Sequence, residues 1–230
     1  MNEQAGSIFT DMFGLRDPEL ISKLKAQAET IKLKKNVRFY HEGEVPYHAA
    51  FLISGIVRGY LVDANGREIT DCFCYRTGAP VVPGVPLGAP AGLNVETLAV
   101  TELLCIPMQT VGELMHQYEE LWVVYGRLLV QAYNEHLSSK NMLYKHSARE
   151  RYQWFLENYP GIVGRVSNKH VASFLDMNPV TLSRLRRVMR EERREQGHAD
   201  QEAVSEDPHP GGGGGTPSCR PKAERPMLNE

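Results

Sequence analysis

The chain has 230 residues, 42% of them hydrophobic and 23% charged, with a formal net charge of −2. That is room for one large domain or two small ones, in a composition ordinary for a soluble protein. No apolar run approaches the ~20 residues of a membrane span, and MNEQAGSIFTDMF lacks the basic start and apolar core of a secretion signal. The four cysteines, Cys72, Cys74, Cys105 and Cys219, show neither paired CxxC nor disulfide-framework spacing. A reduced, cytoplasmic protein is the expectation.

Taken in chain order, residues from about Pro18 to Ala28 read as a short amphipathic helix. From Lys34 to Pro107 the pattern changes to short β-type runs parted by Gly, Pro and Asn turns. Phe51–Ile53, Ile56–Val62, Glu68–Phe73 and Leu98–Ile106 are the strand candidates, and Ala64-Asn65-Gly66 is a hairpin turn. Strands at this spacing without interleaved helices predict an antiparallel sandwich or barrel. Thr77–Leu93, rich in Gly, Pro and Ala, is expected as a loop within it. One long helix is predicted from about Gln109 to Lys145. Tyr118, Leu121, Tyr125, Leu128 and Ala132 recur along it at steps of three and four. Its apolar face needs a partner, and Leu121, Tyr125, Leu128 and Ala132 are assigned to a seam with a second copy of the chain. A last folded module begins at Arg149–Tyr159. Beyond about Gln196, five consecutive glycines, several prolines and mixed charge predict a disordered tail at 196–230.

The most informative stretch is VSNKHVASFLDMNPVTLSRLRRVMR, from Val166 to Arg190. Val171, Ala172 and Leu175 form one apolar edge, and Leu182, Leu185 and Met189 form another at i, i+3, i+7. Asn178 is a good N-cap, and Pro179 falls at the first helical position, where its missing N–H does no harm. This is a helix-turn-helix pattern, whose second helix enters the DNA major groove. Between Arg165 and Arg194 stand eight Lys/Arg against three acids, a charge of +5, so the rest of the chain carries −7. A basic module on an acidic body suits double-stranded DNA as the partner. With the apolar residues inward, the outer face of the second helix presents Val180, Ser183, Arg184 and Arg187 to the bases. Arg184 can bond bidentately to guanine, whereas Val180 offers only apolar contact, as to a thymine methyl. Ser167, Lys169, Thr181 and Arg186 are placed for phosphates, which position without reading sequence.

Helix, β-roll, long helix and helix-turn-helix in this order resemble the Crp/Fnr family of bacterial transcription regulators. FYHEGEVPYHAAFLISGIVRGYLVDANGREITDCF resembles the family's β-roll, NVETLAVTELLCIP its closing strands, and NPVTLSRLRR its recognition helix. The resemblance implies an α+β protein in four parts. These are a cyclic-nucleotide-binding-like antiparallel β-roll at 1–116, a dimerisation helix at 117–146, a winged helix-turn-helix at 147–195, and the tail. It further implies a homodimer on a near-palindromic site, and it leaves RNA polymerase open as a further partner. Val180 stands where the family has a Glu, and Asp176 replaces the usual turn glycine, so the half-site is expected to differ from the family's usual one. Asp tolerates a left-handed backbone better than most residues.

Family members that bind cyclic nucleotides hold the ribose with a Gly-Glu pair and the phosphate with an Arg-Ser/Thr pair. The matching segment here, TGAPVVPGVPLGAPAGLNVE, has no Arg or Lys and no acid before Glu96, and its prolines remove donors. A degenerate effector pocket is therefore expected, with cyclic AMP an unsuitable ligand and an uncharged small-molecule effector still open. No cofactor and no metal is assigned. No Cys precedes Cys72 to build an N-terminal iron–sulfur site, and Cys72 and Cys74, sharing one strand face, read as buried structural thiols. Two alternatives stand beside a DNA-binding regulator. One is a β-roll sensor with vestigial DNA binding. The other is a cupin-like metal enzyme using His41, Glu42, Glu44 and His48, weakened by the missing His-x-His pair. No nucleophile elbow, P-loop or paired carboxylates point to an enzyme of another kind.

Overall fold

The computed structural model describes residues 7–205, with side chains as far as Gln196. A five-residue π-helical turn, Ile8–Met12, precedes helix α1, Pro18–Gln27. Pro18 takes the first helical position, and the Asp17 carboxylate accepts the N–H groups of Glu19 and Leu20. Eight strands follow: β1 (Glu29–Leu33), β2 (Arg38–Tyr40), β3 (His48–Ser54), β4 (Val57–Val62), β5 (Glu68–Cys74), β6 (Pro80–Val81), β7 (Asn94–Thr97) and β8 (Thr101–Pro107). They form two four-stranded antiparallel sheets, ordered β1-β8-β3-β6 and β2-β7-β4-β5. The expected β-roll is present. It also contains four strands that the hydropathy pattern did not mark, β1, β2, β6 and β7, of which β6 interrupts the expected Thr77–Leu93 loop, and the run expected at Leu98–Ile106 starts at Thr101 instead.

The turns behave as their residues dictate. Asn65-Gly66 closes the β4–β5 hairpin, with Gly66 at φ 77°, and the Asp63 carboxylate accepts the Asn65 and Arg67 amides. Gly55, between β3 and β4, has φ 109° and lies against Thr101, so any side chain there would clash. Inside the roll, Tyr40, Ala50, Leu52, Val57, Val81, Val95, Leu103 and Cys105 make one buried cluster. A second cluster joins Phe9, Phe13, Leu20 and Leu24 to Leu104, Ile106, Leu114 and Val124.

The predicted single helix over 109–145 is two helices, α2 (Met108–Gln117) and α3 (Glu119–Lys145). Tyr118 between them is extended, at φ −128° and ψ 107°. Its N–H still bonds the Leu114 carbonyl, and its hydroxyl accepts from the Lys23 ammonium 2.9 Å away, so a tertiary contact holds the break. After α3 come α4 (Ala148–Asn158), α5 (Asn168–Phe174) and α6 (Pro179–Ser205). Ser147 and Glu150 start α4 with a reciprocal capping box. Helix α6 continues to Ser205, past the expected start of the tail at Gln196. The rest of that predicted tail, with Cys219, lies outside the described residues. Among the described residues no strand follows β8, and only a single bridge, Val163 to Val166, stands where a wing was expected.

The chain divides into two compact units, the first ending at Arg186 and the second starting at Arg187. The roll, α1 to α5 and the first two turns of α6 belong to the first. The second consists, among the described residues, of the remainder of α6, with Arg187 and Glu191 paired at 3.9 Å.

Candidate nucleic-acid interface

The turn between α5 and α6 is built from the residues the sequence singled out. Leu175 ends α5, Asp176 takes the left-handed conformation at φ 48°, and Met177 returns its N–H to the Ala172 carbonyl. Asn178 caps α6, its side-chain oxygen accepting the Val180 N–H at 2.7 Å. Ala172, Leu175 and Leu182 are fully buried between the helices. This packing turns Val180, 55% exposed, outward together with Thr181, Ser183 and Arg184. These side chains have no internal task that would hold them back from a ligand in front of the helix.

The residues assigned to phosphates divide. Lys169 and Thr181 are exposed. Ser167 caps α5 through the His170 N–H, and Arg186 holds the Asn168 side-chain oxygen, so both also shape the module. In the second unit Arg187 is exposed and lies one helical turn before Glu191.

A set of residues that the hydropathy pattern did not single out anchors this module to the roll. Strand β5 is an edge of its sheet, which leaves backbone groups unpaired. The Ser173 hydroxyl from α5 satisfies two of them, accepting the Thr70 N–H at 2.9 Å and donating to the Glu68 carbonyl at 3.1 Å. Beside it Phe174 packs on Phe73, Phe155 and Tyr159 with ring centroids 5.3–5.7 Å away. Arg58, from β4, is only 1% exposed. Its guanidinium reaches Glu68 at 2.7 Å, Glu96 at 2.6 Å and Nδ1 of His170 at 2.7 Å, and stacks over the Tyr60 ring. Glu68, Glu96 and His170 have donor atoms near enough to share a cation, and Arg58 is that cation. Burial first, then the Arg58 charge, pulls the His170 imidazole down to about 4 from an ordinary 6.5. The sequence signal was a lone arginine in the middle of Ile56-Val57-Arg58-Gly59-Tyr60, where an alternating strand would bury its neighbours.

On α3 the structure redistributes the expected dimer residues. Leu121 and Leu128 pack on the chain's own second cluster beside Val124, and the Tyr125 hydroxyl accepts the Leu87 N–H. Arg127 donates to the Phe13 carbonyl at 2.6 Å on the same side. Ala132 is exposed. A different stripe faces outward: Val123 (72% exposed), Val130, Leu137 and Tyr144, each seven residues after the last, with Gly126 and Tyr133 three residues after the first two.

No protein-family model matches the chain, and no curated protein matches it. Solved structures do. FixK2 from Bradyrhizobium japonicum aligns with a TM-score of 0.63 at 15% identity, over 72% of this chain and 85% of its own. A Crp/Fnr-family transcriptional regulator from Eubacterium rectale aligns at 0.63 and 16%, over 80% and 87%. The c-di-GMP-responsive global regulator CLP of Xanthomonas campestris aligns at 0.61 and 15%, over 76% and 93%. The chain has the Crp/Fnr fold.

In that fold the segment Thr77–Leu93 runs beside α3, and several of its amides are bonded within the chain. The N–H groups of Leu87, Ala89, Ala91 and Gly92 bond Tyr125, Pro86, Glu44 and Pro83, while Pro83, Pro86 and Pro90 have none. Inside the roll Tyr40 is buried, its hydroxyl donating to the His48 carbonyl. Of the four cupin-like candidates only His41 and Glu44 meet, at 3.2 Å, and Glu42 faces Asn94 instead. Cys74 and Cys105 pack in the interior cluster, where burial pushes each thiol up to about 12 and makes it a poor nucleophile. Cys72, against expectation, keeps solvent-accessible surface. No described helix is long and apolar enough to cross a membrane.

Proposed function

We propose that this chain is a sequence-specific DNA-binding transcription regulator that acts as a homodimer on a near-palindromic site. The observation that carries the reading is the outward face of α6, where Val180, Ser183 and Arg184 stand clear of the packed turn. Arg184 reads guanine and Val180 an apolar edge such as a thymine methyl, with Ser183 beside them; Arg187, in the second unit, is proposed separately as a base contact. Lys169, Thr181, Arg186 and the capping Ser167 settle the module on phosphates. Helix α3 supplies the partner surface. Val123, Val130, Leu137 and Tyr144 recur every seven residues, with Gly126 and Tyr133 at the intermediate positions, which is the repeat of two helices wound on one another. Nothing lies within 4 Å of the place a Gly126 side chain would take, so a second backbone can approach there.

The roll's effector pocket is degenerate on this reading. The loop offers no cation, its prolines and the bonded amides of Leu87, Ala89, Ala91 and Gly92 leave fewer donors, and Tyr40 is buried inside the roll, which disfavours a cyclic phosphate. The protein is a regulator rather than an enzyme on this reading.

Selection of duplexes from a random library by the full chain, followed by salt titration on the winner and on random DNA, tests this. Arg184→Ala should cost ~1–3 kcal/mol on the selected site alone. Lys169→Ala should weaken both DNAs alike and lower the salt slope by about one. Selection without any enriched sequence, or equal losses on both DNAs for Arg184→Ala, would refute base reading by α6.

A further inference from the structure

The helix-turn-helix does not hang from the roll by a linker alone: it is bonded to the open edge of a sheet through a charged group with one proton-dependent contact. A guanidinium nitrogen can donate but cannot accept, and Arg58 makes its contacts through Nη1 and Nη2 while its buried Nε has no partner. The 2.7 Å approach of Nη1 to Nδ1 of His170 therefore requires that ring nitrogen to be an acceptor, with the ring neutral and its proton on Nε2. An imidazolium has no acceptor, and it would set a second positive charge against a guanidinium already removed from water.

We propose that Arg58, Glu68, Glu96 and His170 form a latch that holds α5 on the edge of β5 while His170 is neutral, and that protonation of His170 releases it. Every charged neighbour of His170 enters this balance. Arg58 from β4, Lys169 from α5 and Lys35 from the β1–β2 turn all disfavour an added charge, and Glu68 from β5 favours it. Glu96 from β7 is engaged by the Arg58 guanidinium at 2.6 Å. Burial reinforces the three cations, and Nδ1 faces the guanidinium and not the Glu68 carboxylate, so the neutral ring is the one that fits. The contacts that depend on the latch are specific. Ser173 would leave the Thr70 N–H and Glu68 carbonyl, and Phe174 would leave Phe73. Because α5 sets the start of α6, release would free the recognition helix from the roll. That consequence rests on the DNA-binding reading, whereas the latch itself does not.

Hydrogen exchange of the full chain without DNA tests it, at about pH 7.5 and about pH 5, with intrinsic rates corrected. In the wild type, opening at Thr70–Phe73 and at Asn168–Phe174 should rise on the order of ten-fold at the lower pH. The central strand β8 should stay protected and serves as the control for a folded protein. His170→Gln keeps an acceptor that cannot titrate, and should hold protection level across both conditions. Protection of α5 unchanged in the wild type, as when the ring turns to Glu68 without release, would overturn the proposal. So would an equal rise in His170→Gln, or loss of β8 in step with α5.

Discussion

Replacing Val130 with Glu should separate the proposed dimer into folded monomers, and Leu128→Glu, two residues earlier, should do something different. Val130 leaves 61% of its surface in water within one chain. Burying a whole valine is worth ~1.5–3 kcal/mol, so that fraction is worth about 1–2 kcal/mol per copy and about twice that per dimer. A carboxylate buried opposite its symmetry mate adds several kcal/mol, and a loss of about 5 kcal/mol weakens association by some ~10³–10⁴-fold. Sedimentation velocity over a concentration series reads this directly, with a melting curve showing that Val130→Glu remains folded. Leu128 packs inside the chain against the cluster of Phe9, Phe13 and Val124, so Leu128→Glu removes core contacts worth ~2–5 kcal/mol and should lower the melting temperature first. A Val130→Glu protein as dimeric as the wild type would refute the outward stripe as the seam. A Leu128→Glu protein that is monomeric with an unchanged melting temperature would restore the inner face to that role.

Two further outcomes follow from the same structure. Cyclic AMP or cyclic GMP at ~1 mM should leave the melting temperature unmoved, because a ligand of ~1 μM affinity would add ~4 kcal/mol and shift it by several degrees. Stability should fall as pH drops from about 6.5 toward 4, because the unfolded chain protonates His170 at its ordinary value while the folded chain resists until about 4. Half-buried as the ring is, this amounts to ~1–2 kcal/mol after screening, present above pH ~6.5 and gone below ~4. Chemical denaturation of His170→Gln over the same range should lack that increment, and an identical pH slope in both proteins would exclude His170 as its source.

What could be read without the structure was what neighbours in sequence decide. Asn65-Gly66 closes its hairpin, Asn178 caps α6 and Asp176 takes the left-handed turn because each outcome depends on a few adjacent residues. Strand β1 escapes that reading, since Ile31 and Leu33 alternate among charges on an edge of the roll. The break at Tyr118 escapes it too: nothing local forbids a helix there, and the hydroxyl that meets Lys23 lies 95 residues away in sequence. Helix α3 shows a sharper limit. It carries two apolar stripes, and steps of three and four reveal that Leu121 and Leu128 share a face without revealing which surface covers it. Only the presence of the chain's own cluster beneath that face leaves the outer, seven-residue repeat for the proposed second copy. Arg58 is the extreme case. A lone arginine in a strand reads as solvent-facing, and its meaning depends on Glu68, Glu96 and a histidine 112 positions distant. Burying a charge that deeply requires opposite charges beside it, here Glu68 and Glu96, so the group least legible in the sequence is the one that ties the two halves of the first unit together. If so, the recognition helix inherits its orientation from the roll, and changes at Arg58 should alter DNA selectivity without touching any residue that meets DNA.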